Sequence, residues 1–214
     1  SLQIVCGQNQ KRADSLKVEY KTGNYNIPEP EISALITESE TNLDSTLFYA
    51  NILIDKALAV KPKNSSLLAF RRGYLAKGNA LLSKGDNSKA IEAYLKSLDY
   101  AEQANNQRSI AYLQISIADT YAEMGNNENA ELYYSKGIDL LRKEVDSINL
   151  ASALLNAGDW LTTIQKYDEA LDYFEESSLI YKNLDFLTGT AYNLGNIGMV
   201  YAEQGKDELA EANI

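Results

Sequence analysis

Apolar positions in this chain recur with helical spacing, and a larger pattern repeats every 40 residues. In each copy a small residue is followed twelve positions later by an alanine, and a large residue follows that alanine by four. The small residue and its alanine are Gly78/Ala90, Ala118/Ala130, Gly158/Ala170 and Gly198/Ala210, and the large residues are Tyr94, Tyr134, Phe174 and Ile214. A fixed period of this length indicates stacked helical repeats.

Helix boundaries follow from the same pattern. The spacing predicts helix pairs at 66–83 with 87–103, 107–124 with 127–142, and 148–164 with 167–183, in repeats spanning 66–105, 107–146 and 147–185. We expect Ser66, Asn87, Asn127 and Asp185 as N-caps. Gly85, Gly125 and Gly205 suit left-handed C-caps, with Gln165 in the equivalent place. A last copy, 186–214, breaks off inside its second helix, so we expect a piece of a longer protein.

The amino-terminal part is less regular. Residues 31–64 are interpreted as a degenerate first repeat, with Ser45 capping a helix that runs from 46 to about 60 and is stopped by Pro62. Residues 8–30 predict a short helix over 13–20, ended by Gly23, and a proline-containing connector. Residues 1–7 resemble the end of a signal peptide, with Val5 and Gly7 at its cleavage positions. That favours an extracytoplasmic location; an ordinary first strand or helical turn would leave the chain cytoplasmic.

Composition removes several classes of function. The net charge of −10 disfavours binding to nucleic acid, which needs a basic surface. Histidine is absent and Cys6 is the single cysteine, so Ser–His and Cys–His catalysis and His/Cys zinc sites are excluded. The sequence shows no calcium loop of EF-hand spacing and no phosphate-binding loop. It also lacks a run of about 18 apolar residues that could span a membrane. We predict no cofactor, no metal and no catalytic residue.

The motifs resemble those of the tetratricopeptide repeat family. Residues 196–210 match its Gly, Tyr and Ala positions very closely, 117–130 nearly as well, and 158–174 apart from Gln165. The resemblance covers about 31–214 and implies an all-α fold, a right-handed α-solenoid of antiparallel helix pairs. The family period is usually 34 residues, whereas 40 occurs in several of its signalling members, including bacterial sensors that carry a separate output domain.

In that family the first helix of each pair lines a concave groove. Register then identifies the candidate ligand-binding residues as Arg72, Asn79, Tyr112, Asp119, Asn156, Asp159, Tyr192 and Asn196. Asparagine can hold a peptide backbone, tyrosine offers contact area with a polar tip, and the two aspartates favour a basic group. The alternative is that these are polar residues on a solvated face. Arg71 and Arg72 are also open to pairing with acidic neighbours rather than with an anionic ligand.

These expectations favour a non-catalytic module that binds a protein or peptide segment. The partner can be a separate protein, the output domain of its own chain or another copy of itself. We expect it to be the N-terminal sensing or scaffolding part of a bacterial signalling protein. The alternative is a structural scaffold whose repeats mediate self-association. Asp119 and Asp159 lie one repeat apart, too distant to act together as an acid/base pair.

Overall fold

The computed structural model describes residues 2–59, 63–144 and 147–213, and within these ranges all regular structure is helical. The helices are α1 (Leu2–Thr22), α2 (Glu29–Ser39), α3 (Leu43–Ala57), α4 (Lys63–Ser83), α5 (Asn87–Gln103), α6 (Gln107–Glu123), α7 (Asn127–Lys143), α8 (Ser147–Thr163), α9 (Tyr167–Asn183), α10 (Leu187–Glu203) and α11 (Asp207–Asn213). The predicted helices from 66 to 183 are confirmed to within a few residues.

The chain forms two compact units, residues 1–113 and 114–214, with the boundary inside α6. In the first unit consecutive helices from α1 to α5 pack on one another, and α2 also contacts α4. In the second unit the same holds from α7 to α11, and α8 contacts α10. Each unit therefore consists of helix pairs whose first helices also touch, which confirms the all-α fold class.

Within the described residues of the first unit, two clusters of buried apolar side chains join the helices. One joins α2, α3 and α4 through Ala34, Leu53 and Phe70. The other consists of Ile32, Ile36 and Tyr49, against which Leu16 and Tyr20 of α1 pack. Because α1 covers apolar surface that α2 and α3 would otherwise expose, it is part of the core of this unit.

The amino-terminal helices differ from the sequence prediction. The first helix begins at Leu2 rather than at residue 13, and it includes the stretch interpreted as the end of a signal peptide. It ends at Thr22, and Gly23 has a φ of 68°, as predicted for the stop. In α3 the N-cap is Asn42, whose side chain accepts from the amide of Ser45, so the cap precedes the predicted one. Pro62 lies outside the described residues.

Six of the described turns from α4 onward share one hydrogen-bond pattern. At Gly85 the chain turns left-handed, the Gly85 amide donates to the Leu82 carbonyl, and the Asp86 amide donates to the Leu81 carbonyl. This is the Schellman motif, which satisfies carbonyls that the helix end leaves free. The same pattern recurs at Gly125, Gly205, Gln165, Asn105 and Asp185. With Gly85 included, the left-handed residues have φ values between 51° and 79°.

This turn geometry corrects the predicted N-caps. Asp86 and Asn126 each complete one Schellman turn and then cap the next helix by accepting from the amides of Lys89 and Asn129. The caps therefore lie one residue before the predicted Asn87 and Asn127. Ser66 is inside α4, where its hydroxyl donates to the carbonyl of Ala57. Asp185 is the left-handed residue of its turn, and Phe186 follows it as N-cap.

Glycine in the first helix makes room for an aromatic ring from the second. A Cβ added to Gly78 would lie 2.5 Å from the Tyr94 ring, and one added to Gly158 would lie 2.6 Å from the Phe174 ring. The alanines paired with these glycines, Ala90 and Ala170, are fully buried. The small residues predict a close approach of the paired helices. In the structure this approach depends on the space that the glycine leaves for the aromatic ring.

Gly158→Ala should lower the free energy of unfolding by about 1–3 kcal/mol, because the new methyl overlaps a buried ring. Gly195→Ala is the matched control, since Gly195 is also helical and an added Cβ there meets nothing within 4 Å. The control should raise the free energy of unfolding by about 0.5–1 kcal/mol through helix propensity. Urea denaturation measures the free energy of unfolding of both variants. Equal effects at the two positions would contradict the interpretation that Gly158 makes room for the Phe174 ring.

Candidate functional site

The eight candidate residues all lie on first helices, namely α4, α6, α8 and α10. Arg72, Asn79 and Tyr112 belong to the first unit, and the other five belong to the second. The structure tests whether their polar groups are available for a ligand or are engaged within the protein.

Arg72 is held within the fold of the first unit. Its Nε lies 2.7 Å from a carboxylate oxygen of Glu38, and its Nη1 lies 3.0 Å from one of Glu31. Both acids are on α2, and the Arg72 side chain is only 16% exposed. Although burial lowers the pKa of Arg72, its interactions with Glu38 and Glu31 raise it above the ordinary value. The guanidinium therefore joins α4 to α2.

Asn79 keeps part of its hydrogen-bonding capacity. Its Oδ1 accepts from the hydroxyl of Tyr94 at 2.8 Å, which fixes the amide so that its NH2 group remains as a donor. Arg72 and Asn79 line the same cleft, of about 360 Å³, between α4 and the α2–α3 pair. Tyr112, near the end of the first unit, is half exposed. The first unit thus has a concave site that includes two of its three candidate residues.

Asp119 is the centre of a small hydrogen-bond network in the second unit. One of its oxygens accepts from the hydroxyl of Tyr134 at 2.6 Å, and the Asn156 amide lies 3.2 and 3.3 Å from its two oxygens. Desolvation by burial raises the pKa of Asp119 to about 6, although both hydrogen bonds favour the ionised form. Asp119 thus links its own repeat to the next one.

The same pairing recurs one repeat further. Asn196 donates its amide to Asp159 at 2.6 Å. Desolvation raises the pKa of Asp159 to about 6 as well, although its side chain keeps more contact with solvent than that of Asp119. The structure therefore brings Asp119 together with Asn156 and Asp159 together with Asn196. Sequence register placed these four residues on one face but did not show that they pair.

Tyr192 differs from the other candidates of the second unit because most of its surface is open. It is 66% exposed, and Met199, two helical turns further along α10, is 62% exposed. Together with Thr188, Ala191, Gly195 and Asn196 they line an open, largely apolar depression on α10. Aromatic and methionine side chains in such a position are typical of contact surfaces for partners.

The described ranges contain no group of three or more His, Cys, Asp or Glu residues placed to hold a metal ion. None of the helices in these ranges is long and apolar enough to cross a membrane.

Helix pairs joined by Schellman turns, with first helices in mutual contact, define an α-helical repeat protein of the protein-interaction class. Models of the tetratricopeptide repeat match residues 72–104, 109–142 and 149–213, and the chain belongs to that family.

Among known proteins, the chain is 25% identical to the regulatory protein RapG of Bacillus subtilis over 142 residues, 66% of this chain and 39% of RapG. It spans well under half the length of the curated relatives it matches.

Two solved structures share the fold. One is a signal transduction ATPase with numerous domains and a tetratricopeptide repeat sensor, from Pyrococcus horikoshii. It has a TM-score of 0.75 and 14% identity, over 90% of this chain and 31% of that one. The other is a Rap protein complexed with Competence and Sporulation Factor. It has a TM-score of 0.61 and 12% identity, over 99% of this chain and 74% of that one.

Asp119→Asn tests the desolvated carboxylate. Because the pKa of Asp119 in the folded state lies above the ordinary value, the folded chain binds this proton more tightly than the unfolded chain does. Its contribution to the free energy of unfolding is therefore largest near pH 4 and declines as the pH rises to about 6. Asparagine keeps an acceptor for Tyr134 without a charge.

The melting temperature of Asp119→Asn should match that of the wild type near pH 4 and exceed it increasingly up to pH 6–7. Asp172→Asn, which removes an exposed carboxylate on α9, is the control for net charge. If the difference in melting temperature between Asp119→Asn and the wild type stays constant over this pH range, the carboxylate of Asp119 is not desolvated.

Proposed function

We propose that this chain is a non-catalytic module that binds an extended protein or peptide segment along the first helices of its repeats. The observation that carries the proposal is the surface of α10. There Tyr192 and Met199 leave apolar area open beside the polar pair Asn196 and Asp159. An extended segment can pack its side chains on the former and place backbone amides against the latter.

The polar pair keeps unused capacity for such a ligand. Asn196 uses one amide hydrogen for Asp159, which leaves its carbonyl oxygen as an acceptor. Asp159 retains further lone pairs, and its carboxylate is partly desolvated. A backbone N–H or a basic side chain would supply the missing donor to it. These residues therefore favour a peptide that presents donors to the second unit.

The comparisons support a role in signalling. RapG is named a regulatory protein, and the P. horikoshii repeats are named a sensor within a larger signal transduction ATPase. A Rap protein of the same fold has been solved with Competence and Sporulation Factor. By analogy, we propose that this chain is the N-terminal sensing or scaffolding part of a larger bacterial signalling protein.

Selection from a displayed library of random peptides, followed by calorimetry, tests binding. Tyr192→Ala should weaken the selected peptides by tenfold or more, since an exposed aromatic anchor at a contact surface commonly contributes about 2 kcal/mol. Leu179→Ala is the control, because Leu179 is 60% exposed on α9, a second helix. Circular dichroism should show unchanged helicity in both. If no peptide is selected, or if Tyr192→Ala binds as the wild type does, the proposal fails.

Self-association is the alternative function, and the exposure of apolar side chains favours it. Leu187 at the start of α10 is 82% exposed and the neighbouring Phe186 is 45% exposed. Light scattering at rising protein concentration should then show dimers or larger species, and Leu187→Ser should reduce them, because the substitution removes apolar surface that contact would bury. A monomer at the highest concentration reached would contradict this alternative.

A further inference from the structure

Asp119 on α6 is a carboxylate for which the described residues of the second unit provide no counter-charge. Its hydrogen-bond donors are the Tyr134 hydroxyl on α7 and the Asn156 amide on α8. Glu123 on the same helix adds a like charge, and no basic side chain contributes to the pKa of Asp119. On α8, the charge of Asp159 acts on the Tyr134 hydroxyl. The ionised form of Asp119 therefore depends on neutral donors alone.

The Asn156 amide lies against both oxygens of Asp119 at once. Its nitrogen is 3.3 Å from Oδ1 and 3.2 Å from Oδ2. The Tyr134 hydroxyl donates to Oδ1 at 2.6 Å, which leaves Oδ2 as the oxygen that takes up a proton. A carboxylic acid normally carries its proton on the side that faces its other oxygen, and this is the side that the amide occupies. The proton would therefore meet the NH2 group of Asn156, donor against donor.

Tyr134 cannot relieve this conflict, whereas Asn156 can. Burial and the charge of Asp119 raise the pKa of Tyr134, so its hydroxyl stays protonated. The Tyr134 ring is buried and packs on Trp160, with the two ring centroids 5.5 Å apart, so the hydroxyl keeps its place on Oδ1. Asn156 is only half-buried and carries an acceptor beside its donor. A half turn of its amide would present the carbonyl oxygen to the proton of Asp119.

The second acid–amide pair of this unit lacks that arrangement. The Asn196 amide bonds one oxygen of Asp159, at 2.6 Å, and the residue at the position of Tyr134 is Phe174, which has no hydroxyl. The other oxygen of Asp159 can take up a proton while Asn196 keeps its bond. Desolvation raises the pKa of both Asp119 and Asp159 to about 6. Both pairs therefore titrate in the same range, and only the Asp119 pair has to rearrange.

We propose that Asp119 and Asn156 form a proton-dependent switch on the ligand-binding face of the second unit, in which protonation of Asp119 turns the Asn156 amide over. The group that Asn156 presents to a ligand then changes from a carbonyl oxygen to an NH2 group. The consequence for binding rests on the proposed function, because a segment that follows the first helices would meet Asn156 on α8. Above the transition Asn156 accepts from a backbone N–H of that segment, and below it Asn156 donates to a backbone carbonyl.

Nuclear magnetic resonance of the full chain without any ligand tests the switch. The Asn156 side-chain NH2 signals and the Asp119 carboxyl carbon should titrate together, with a midpoint near pH 6. Above the midpoint, the Asn156 NH2 should exchange with water more slowly than that of Asn183, which is exposed on α9. Below it, this protection should be lost. Asn156 signals that do not follow the Asp119 titration, or protection that persists below the midpoint, would overturn the proposal.

Asp119→Asn imitates the protonated acid at every pH. The new amide keeps an acceptor for Tyr134 and places its NH2 group where the acid proton would lie, so Asn156 should have the low-pH orientation throughout. Asp172→Asn, the net-charge control on α9, should titrate at Asn156 as the wild type does. Asn156 signals that still change near pH 6 in Asp119→Asn would show that another group drives them, and the assignment would be wrong.

Calorimetry with library-selected peptides tests the consequence for binding. Peptides selected at pH 7 should bind the wild type about tenfold more weakly at pH 5, as expected for the loss of one hydrogen bond. Asp119→Asn should bind them weakly at both pH values. If the Asn156 transition occurs but no peptide is selected, the switch holds and the peptide-binding function is wrong. If peptides bind the wild type and Asp119→Asn with the same pH dependence, the switch is wrong and peptide binding holds.

Discussion

In the helix pairs α4–α5 and α8–α9, the contact between an aromatic ring of the second helix and a glycine of the first helix determines how closely the two helices approach. Tyr94 lies against Gly78 and Phe174 against Gly158, closer than an added Cβ would allow. The same ring also connects packing to the candidate site, because the Tyr94 hydroxyl reaches Asn79 and the Tyr134 hydroxyl reaches Asp119. A core residue thus orients the polar residue next to the small one. Phe174 has no hydroxyl, and Asp159 is bound by Asn196 instead.

The turns explain why the helices could be located from sequence while their caps could not. Glycine signals a left-handed stop, and that prediction is confirmed at Gly85, Gly125 and Gly205. Non-glycine residues that take the same conformation, such as Asn105 and Asp185, give a weaker signal. The residue that completes the Schellman turn also caps the next helix, so the cap lies one position before the expected one. For α1 the sequence predicts too short a helix, because this segment has no strong apolar periodicity.

The candidate site was predictable in register but not in its pairings. Repeat spacing placed Asn79, Asp119, Asn156 and Asp159 on first helices, where the structure has them. Which of them bond depends on the distance between adjacent first helices, and sequence spacing does not encode that distance. The two neighbouring arginines show the same limit. Arg72 pairs with Glu31 and Glu38, which is the alternative in which the arginines bind acidic neighbours. The Nε of Arg71, one position earlier, has no acceptor in the described structure.

The polar contacts between first helices contribute little to stability, but they hold polar groups in positions where a ligand can bind them. Desolvation raises the pKa of both Asp119 and Asp159, so each carboxylate is less favourable in its ionised form than in water. An apolar pair of similar volume would hold adjacent repeats together without that cost. Positions that violate the rules for stability are commonly functional. The unfavourable placement of these aspartates therefore supports our proposal that the first helices of the second unit bind a partner.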